Sequence, residues 1–238
     1  MGTRKNIISI EEYYHLYSRG VDKRIIFIDD NDRKRFIRLL FLCNGSKPVI
    51  YRTIQGVPLD KINVGDKLVA IGAYTLMPNH FHLLVKEITE NGTVKFMSKL
   101  LTSYSMYFNK KYDRNGTLFG SEFKSEYLDS DEYLKYIFAY IHLNPVKIIY
   151  PKWRNGGESD HSQIKKFLTK YDFSSYKDYV SVKRESGIIL NKSVFPDYFT
   201  NEVDFESYIN EWINFDPESF QGLPLDVIPR GVLGYPQV

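Results

Sequence analysis

Cysteine and long hydrophobic runs are nearly absent from this sequence. The single cysteine, Cys43, excludes an internal disulfide bond and a zinc site built from several thiolates, and it is typical of a protein from a reducing cytoplasm. No run of 18 apolar residues occurs, and no apolar stretch of the signal-peptide type begins the chain, because two glutamates follow Ile10. We therefore expect a cytoplasmic protein that does not enter a membrane.

Tryptophan is scarce as well, whereas the other aromatic residues are abundant. The 238 residues include 2 Trp, 19 Tyr and 16 Phe, and 43% of the sequence is hydrophobic. This composition is sufficient for a hydrophobic core and argues against global disorder. The formal net charge of +3 is a weak indication of a polyanionic partner such as a nucleic acid.

Hydrophobic periodicity predicts a mixture of strands and helices over the first two thirds of the chain. We predict strands at 13–18, 49–54, 68–76, 81–86 and 117–128, and helices at 30–44, 93–112 and 129–144. Because these elements do not alternate in a regular βαβ order, we expect an α+β domain on a mainly antiparallel sheet.

The composition changes after about residue 151. Residues 153–157 have the composition of a linker, helical patterns follow at 162–171 and 204–215, and the tail contains several prolines and glycines. We therefore predict a domain at 8–155 and a mainly helical C-terminal extension at 156–238, whose role the sequence does not indicate.

A His-x-His pair is the clearest chemical signal in the sequence. His80 and His82 are two residues apart at a predicted strand, so both imidazoles lie on one face. Two neutral imidazoles that converge on one point suit a divalent metal ion. Two buried histidines satisfied by hydrogen bonds are the alternative, and for an isolated His-x-His that alternative is the more common. His15 and His161 have no partner at ligand spacing and are predicted to be structural or surface residues.

The predicted helix at 129–144 offers further polar groups on one face. Tyr136, Tyr140 and Asn144 are spaced by four residues and share that face. Asn144 lies in the last turn, where its amide oxygen could bind a metal, and Tyr140 lies one turn away. His142 points elsewhere on the helix and is not expected to be a ligand. For any single tyrosine, a place in the core is the alternative.

These residues lie in motifs that resemble those of a known transposase family. Residues 74–85, with the sequence YTLMPNHFHLLV, resemble the metal motif of HUH single-tyrosine transposases, and more narrowly of the REP-associated tyrosine transposase branch. Residues 140–147, YIHLNPVK, resemble the nucleophile motif of that branch. Segments 116–125 and 13–27 resemble its intervening strand and its N-terminal strand and loop. The four motifs occur in the family's order, and 171–176 resembles a motif that follows the core.

The resemblance implies a fold, an activity and a set of functional residues. It implies a ferredoxin-like antiparallel sheet flanked by helices, the HUH endonuclease core, with His80 and His82 as metal ligands, Tyr140 as the nucleophile and Asn144 as the third ligand. The implied cofactor is Mg²⁺ or Mn²⁺. The implied activity is nicking and joining of single-stranded DNA that carries a hairpin or repeat, through a 5′-phosphotyrosine intermediate, by a monomer or homodimer.

The sequence departs from the family pattern in three places. Ser121-Glu122 stands where relatives have glycine followed by arginine or lysine, which replaces a phosphate contact with an acid. The insert at 56–67 and most of the C-terminal extension have no counterpart in the short members of the family.

Basic side chains near the predicted site are candidates for contacts with DNA phosphates. For any single lysine, a solvated helix surface is the alternative. The candidates are Arg19, Lys23, Arg24, Lys99, Lys110, Lys111, Arg114 and Lys124.

Three other functions fit parts of the same pattern. A domesticated DNA-binding or repeat-processing protein would keep the same residues without transposition. A repressor with an inactive site is a second alternative, against which the complete set of motif residues argues. A zinc hydrolase is a third, and it lacks a third histidine, cysteine or carboxylate at motif spacing.

Overall fold

The computed structural model describes residues 8–120, 122–153 and 159–214. Its strands are β1 (Tyr13–Arg19), β2 (Val69–Met77), β3 (His80–Glu87) and β4 (Lys124–Tyr127). Its helices are α1 (Asp30–Leu42), α2 (Gly92–Lys111), α3 (Asp131–Leu143), α4 (Val146–Ile149), α5 (His161–Lys170), α6 (Tyr176–Tyr179) and α7 (Glu202–Ile213). Short 3₁₀ turns connect several of them.

In the described residues the strands form one antiparallel sheet in the order β2-β3-β1-β4. The first six elements run β1, α1, β2, β3, α2, β4 along the chain, which is the βαββαβ order of a ferredoxin-like domain. The predicted α+β class and ferredoxin-like sheet are therefore confirmed.

The two faces of the sheet have different partners. Phe81, Leu83 and Val85 of β3 lie in one large core cluster with the buried residues of α1 and α2. The alternate residue Leu84 lies in a second cluster with buried residues of α3. Because side chains alternate along a strand, His80 and His82 belong to the α3 face. Helix α3 therefore covers the side of the sheet that carries the histidine pair.

Local sequence signals set both ends of α3. The Ser130 side chain accepts a hydrogen bond from the Tyr133 amide, which satisfies one of the free N–H groups of the first turn. Asp131 and Glu132 place negative charge at the positive end of the helix dipole. The helix ends at Leu143, and Asn144 keeps helical backbone as its C-cap. Pro145 follows, and its missing N–H interrupts the i→i−4 hydrogen bonds.

Two predicted strands are wrong in whole or in part. Residues 49–54 contain a 3₁₀ turn, Tyr51–Ile54, instead of a strand. The outer edge of β2 is not open to them, because backbone bonds from residues 173, 175 and 191 of the extension occupy it. Of the predicted strand 117–128, Lys124–Tyr127 forms β4, and Phe119 makes an isolated antiparallel bridge with Gly20. The pairing with the chain around residue 119 does not extend beyond this bridge, because β1 ends at Arg19 and a tight turn follows.

The C-terminal extension shares a core with the helix that carries Tyr140. Ala139 and Leu143 of α3 form a buried cluster with Ile164 and Leu168 of α5 and Phe205 of α7. The predicted helices at 162–171 and 204–215 are thus present as α5 and α7. The predicted boundary at residue 155, most of its linker and the tail beyond residue 214 lie outside the described residues. No helix in the described ranges is long and apolar enough to span a bilayer.

Replacement of Phe205 by alanine tests how strongly the extension stabilises the domain. The Phe205 ring is fully buried, with centroids 4.8 Å from Tyr179 and 5.2 Å from His142. We expect Phe205→Ala to lower the free energy of unfolding by about 3–5 kcal/mol, measured by urea denaturation. Val203 is exposed on the same helix, so Val203→Ala is the control and should change stability by less than about 0.5 kcal/mol. A similar, small effect of both variants would contradict the shared core.

Candidate metal and nucleophile site

The register between β1 and β3 places the histidine pair among polar neighbours. Tyr17 of β1 lies directly opposite His82, and Arg19 lies opposite His80. The imidazole centroids of His80 and His82 are 4.9 Å apart with the rings nearly perpendicular. The two rings therefore share the same face of the sheet, as strand alternation predicts.

His15 contacts the pair directly. Its Nε2 lies 2.9 Å from Nδ1 of His82, and the two rings are stacked at 5.0 Å. The side chain is buried, with 2% of its surface exposed. His15 was predicted to be a structural or surface residue because nothing in its local spacing pairs it with another histidine. Only the antiparallel pairing of β1 with β3 brings it to the site.

Asn79 makes the corresponding contact with the other histidine. Its Oδ1 lies 2.6 Å from Nδ1 of His80, and its Nδ2 donates to the backbone carbonyl of Lys23 at 3.2 Å. Asn79 belongs to the turn between β2 and β3, immediately before the first histidine. This contact was not predicted from the sequence, although Asn79 lies within the motif quoted for the metal site.

Helix α3 brings Tyr140 and Asn144 to the same place. The Tyr140 ring lies edge-on to His82, with centroids 5.4 Å apart, and 5.5 Å from the His15 ring. Asn144 is the C-cap residue of α3 and is buried, with 3% of its surface exposed. Its side chain lies near His80 and raises the pKa of that imidazole, against the larger effects of burial and nearby cations. All four residues that the sequence singles out therefore converge within one chain.

The polar atoms around the histidines fit a metal ion. Among the described residues, no hydrogen-bond partner in good geometry lies within reach of the buried Nε2 of His82 or the buried Oδ1 of Asn144. Unpaired buried acceptors are costly unless a cation or water satisfies them. No three His, Cys, Asp or Glu side chains of the described residues are grouped to hold a metal. The candidate ligand set therefore comprises two imidazoles and one carboxamide, which does not favour a zinc hydrolase.

Burial keeps the imidazoles of the site neutral. Loss of solvation, followed by the nearby cations Arg19 and Lys147, lowers the pKa of His80 to about 3 against the opposing effect of Asn144. Burial also lowers the pKa of His15 to about 3 and that of His82 well below its usual value. Neutral imidazoles have a free lone pair, so protons do not compete for these nitrogens near pH 7.

Two residues of β4 complete the side of the site next to β1. Lys124 lies opposite Tyr17 in the sheet, with its Nζ 5.7 Å from the centre of the Tyr17 ring. The Tyr17 hydroxyl donates to Oε1 of Glu126 at 3.3 Å. Burial, followed by the negative charge of Glu126, raises the pKa of Tyr17 to about 12. The sequence did not indicate Tyr17 or Glu126, because their contact depends on the pairing of β1 with β4 and they are 109 residues apart in the chain.

The basic candidates fall into two groups. Arg19 and Lys124 lie on the strands that carry the site, and Lys23 and Arg24 follow β1 in the turn that Asn79 contacts. The others belong to α2 or the turn after it, against the opposite face of the sheet: Lys99, Lys110, Lys111 and Arg114.

Three of the residues in that second group have partners within the protein. Lys111 forms ion pairs with Asp29 and Asp32, both at 2.7 Å. Lys99 donates to the Gly45 carbonyl, and Arg114 donates to the side chain of Asn109. Lys110 is exposed.

The other histidines lie outside the site. His142 is buried on a different side of α3, where its ring nitrogens contact the Phe138 carbonyl at 2.8 Å and the Ser175 hydroxyl at 2.7 Å. It therefore links the helix to the extension, in agreement with its predicted exclusion from the ligands. His161 is an exposed residue in the first turn of α5.

Comparison with known proteins points to the family that the motifs resemble. No curated protein matches the chain. One solved structure, titled "Structure of the REP associates tyrosine transposase bound to a REP hairpin", aligns at 11% identity with a TM-score of 0.44, over 78% of this chain and 90% of that chain. The model of the family described as "Transposase IS200 like" matches residues 38–144. The family model therefore agrees with the resemblance that the motifs indicate, and residues 38–144 are similar to the IS200-like transposases.

Proposed function

We propose that the protein nicks and rejoins single-stranded DNA through a covalent bond between Tyr140 and a 5′-phosphate, as a transposase with a divalent metal cofactor. One observation carries the proposal: the Tyr140 ring lies 5.4 Å from His82 in the same chain, with Asn144 beside His80. Tyr140 and Asn144 at the end of α3 meet the histidine pair of β3 only because α3 packs on this face of the sheet. The family match over residues 38–144 supports the DNA-processing role.

The proposed cofactor is Mg²⁺ or Mn²⁺, held by His80, His82 and Asn144. The unpaired buried nitrogen of His82 and the unpaired amide oxygen of Asn144 are the atoms that support this ligand set. When bound, a divalent cation neutralises charge on the non-bridging oxygens of a phosphate and makes its phosphorus a better electrophile. The low pKa of His80 means that the lone pair of this imidazole stays available without prior loss of a proton.

Tyr140 is the proposed nucleophile. Its hydroxyl oxygen forms a bond to the phosphorus while the bond from that phosphorus to the 3′ oxygen breaks. The tyrosine proton passes to water, and the departing 3′ oxygen takes a proton from water. The products are a 5′-phosphotyrosine link and a free 3′-OH. The link conserves the phosphodiester energy, so a second 3′-OH reverses the step and joins two strands without ATP.

The proposed partner is single-stranded DNA with a hairpin or repeat. Arg19 and Lys147 supply positive charge close enough to lower the pKa of His80, and Lys124 adds an exposed cation on the neighbouring strand. Such a cluster attracts a phosphate backbone. The site is assembled within one chain, which supports action of Tyr140 in cis, in a monomer or in each half of a homodimer. We propose a cytoplasmic location, at the nucleoid when DNA is bound.

Replacement of the nucleophile tests the chemistry. We expect Tyr140→Phe to reduce the covalent protein–DNA product by more than about 10³-fold, because the attacking oxygen is lost. The measurement is a denaturing gel with a labelled hairpin-bearing single strand and Mn²⁺, and chelation of the metal should have a similar effect. Tyr136 lies one turn earlier on α3, with its ring 6.1 Å from that of Tyr140. Tyr136→Phe is the control and should still form the adduct, whereas an adduct formed by Tyr140→Phe would refute the proposed nucleophile.

Two exposed lysines on opposite sides of the sheet test the direction from which DNA approaches. We expect Lys124→Ala to weaken binding of single-stranded DNA several-fold, and to reduce the slope of log affinity against log salt by about 0.7, the value for one lost phosphate contact. Lys110→Ala should leave both quantities unchanged, because Lys110 lies on α2 against the other face. Fluorescence anisotropy at several salt concentrations measures both. A larger effect of Lys110→Ala than of Lys124→Ala would instead place the DNA on the face of the sheet that α1 and α2 cover.

A further inference from the structure

The backbone of the turn after β1 fixes the orientation of the Asn79 amide. The Asn79 Nδ2 lies 3.2 Å from the carbonyl oxygen of Lys23. A carbonyl oxygen only accepts hydrogen bonds, so the amide group that faces it must be the NH₂ donor. The Asn79 Oδ1 must then face the other way, and it lies 2.6 Å from Nδ1 of His80.

That orientation determines which nitrogen of His80 carries the proton. Because Asn79 Oδ1 is an acceptor, Nδ1 of His80 must be the donor. A neutral imidazole carries one ring proton, so Nε2 keeps its lone pair. The same imidazole lies beside the Asn144 side chain. His80 is therefore held in the tautomer that a metal ligand bound through Nε2 requires.

The Nδ1 of His82 also contacts a side chain of the protein, that of His15 on the neighbouring strand β1. The Nδ1 of His82 is 2.9 Å from Nε2 of His15, and the Nε2 of His82 is buried without a hydrogen-bond partner among the described residues. When Nδ1 of His82 donates to His15, the lone pair is on the unpaired Nε2. A metal bound through Nε2 of His82 requires this tautomer, in which Nε2 of His15 accepts the Nδ1 proton. In the metal-binding tautomer of both histidines, Nδ1 therefore donates to an acceptor of the protein and Nε2 is left for a ligand.

We infer that Asn79 and His15 are positioning residues for a divalent cation: each accepts the Nδ1 proton of one ligand histidine and so directs its Nε2 lone pair to the metal. This inference rests on the proposed function. Hydrogen-bond partners of this kind orient the ligands of metal sites and raise their basicity. The Lys23 carbonyl acts through Asn79, which links the site to the turn after β1.

Metal affinity, measured apart from catalysis, tests the inference. The probe is Mn²⁺ alone, titrated into the full chain without DNA, with free Mn²⁺ followed by electron paramagnetic resonance. Asn79→Leu and His15→Phe keep approximate size but remove the acceptor. Asn79→Asp and His15→Gln restore an acceptor at the same place. His80→Ala, which removes a proposed ligand, is the reference for loss of the site, and thermal unfolding of each metal-free variant reports on folding.

We expect Asn79→Leu and His15→Phe each to weaken Mn²⁺ binding by about 10- to 100-fold. Asn79→Asp and His15→Gln should recover most of the affinity, because the Nδ1 proton again has an acceptor. If Asn79 and His15 had a purely structural role, each variant would lose Mn²⁺ affinity in proportion to its loss of melting temperature in the metal-free protein. The affinity of Asn79→Asp and His15→Gln would then recover only as far as their melting temperatures recover.

Three results would overturn the inference. The first is wild-type Mn²⁺ affinity in both Asn79→Leu and His15→Phe. If His80→Ala still abolishes binding, this result refutes the positioning role and leaves the proposed metal site intact. Equal loss in the acceptor-retaining and acceptor-lacking variants would also do so, since it would indicate a direct ligand or a packing role. Binding that His80→Ala does not affect would refute the proposed metal site itself, and the inference with it.

Discussion

The antiparallel pairing of β1 with β3 is the constraint on which the site depends. Its register sets Tyr17 opposite His82 and Arg19 opposite His80. A shift of one residue would turn every side chain of β1 to the other face of the sheet, and Tyr14 and Leu16 would then leave the main core. The hydrophobic core on the side of α1 and α2 therefore fixes the polar arrangement on the side of α3.

The dry environment of this face explains its chemistry. Helix α3 and its aromatic side chains cover the imidazoles, and the loss of solvent lowers the pKa of each of them. Burial of neutral histidines would be unfavourable if their nitrogens had no partners, and Asn79 and His15 supply the partners for the Nδ1 atoms. The Nε2 of His82 and the Oδ1 of Asn144 are among the buried atoms of the described residues without a partner, and a cation bound between them would satisfy both. The extension keeps α3 in place through the core around Phe205.

Much of this arrangement could be predicted from the sequence, because the relevant patterns are local. Strand alternation put His80 and His82 on one face, and four-residue spacing with Pro145 placed Tyr140 and Asn144 on the last turns of a helix. The roles of His15 and Tyr17 could not be predicted, because they depend on pairing between strands more than 60 residues apart. The segment 49–54 was assigned wrongly for the same reason: its strand-like composition was local, but residues from the distant extension occupy the sheet edge that it would need.

The most direct test is to identify the residue that becomes attached to DNA. The protein would be incubated with Mn²⁺ and a hairpin-bearing single strand, digested with protease and nuclease, and the peptide that retains a nucleotide sequenced by mass spectrometry. The structure and the family match predict a 5′-phosphate bonded to Tyr140, beside His82. A nucleotide attached to any other side chain, or cleavage that leaves only free ends with no peptide attached, would contradict the proposed function.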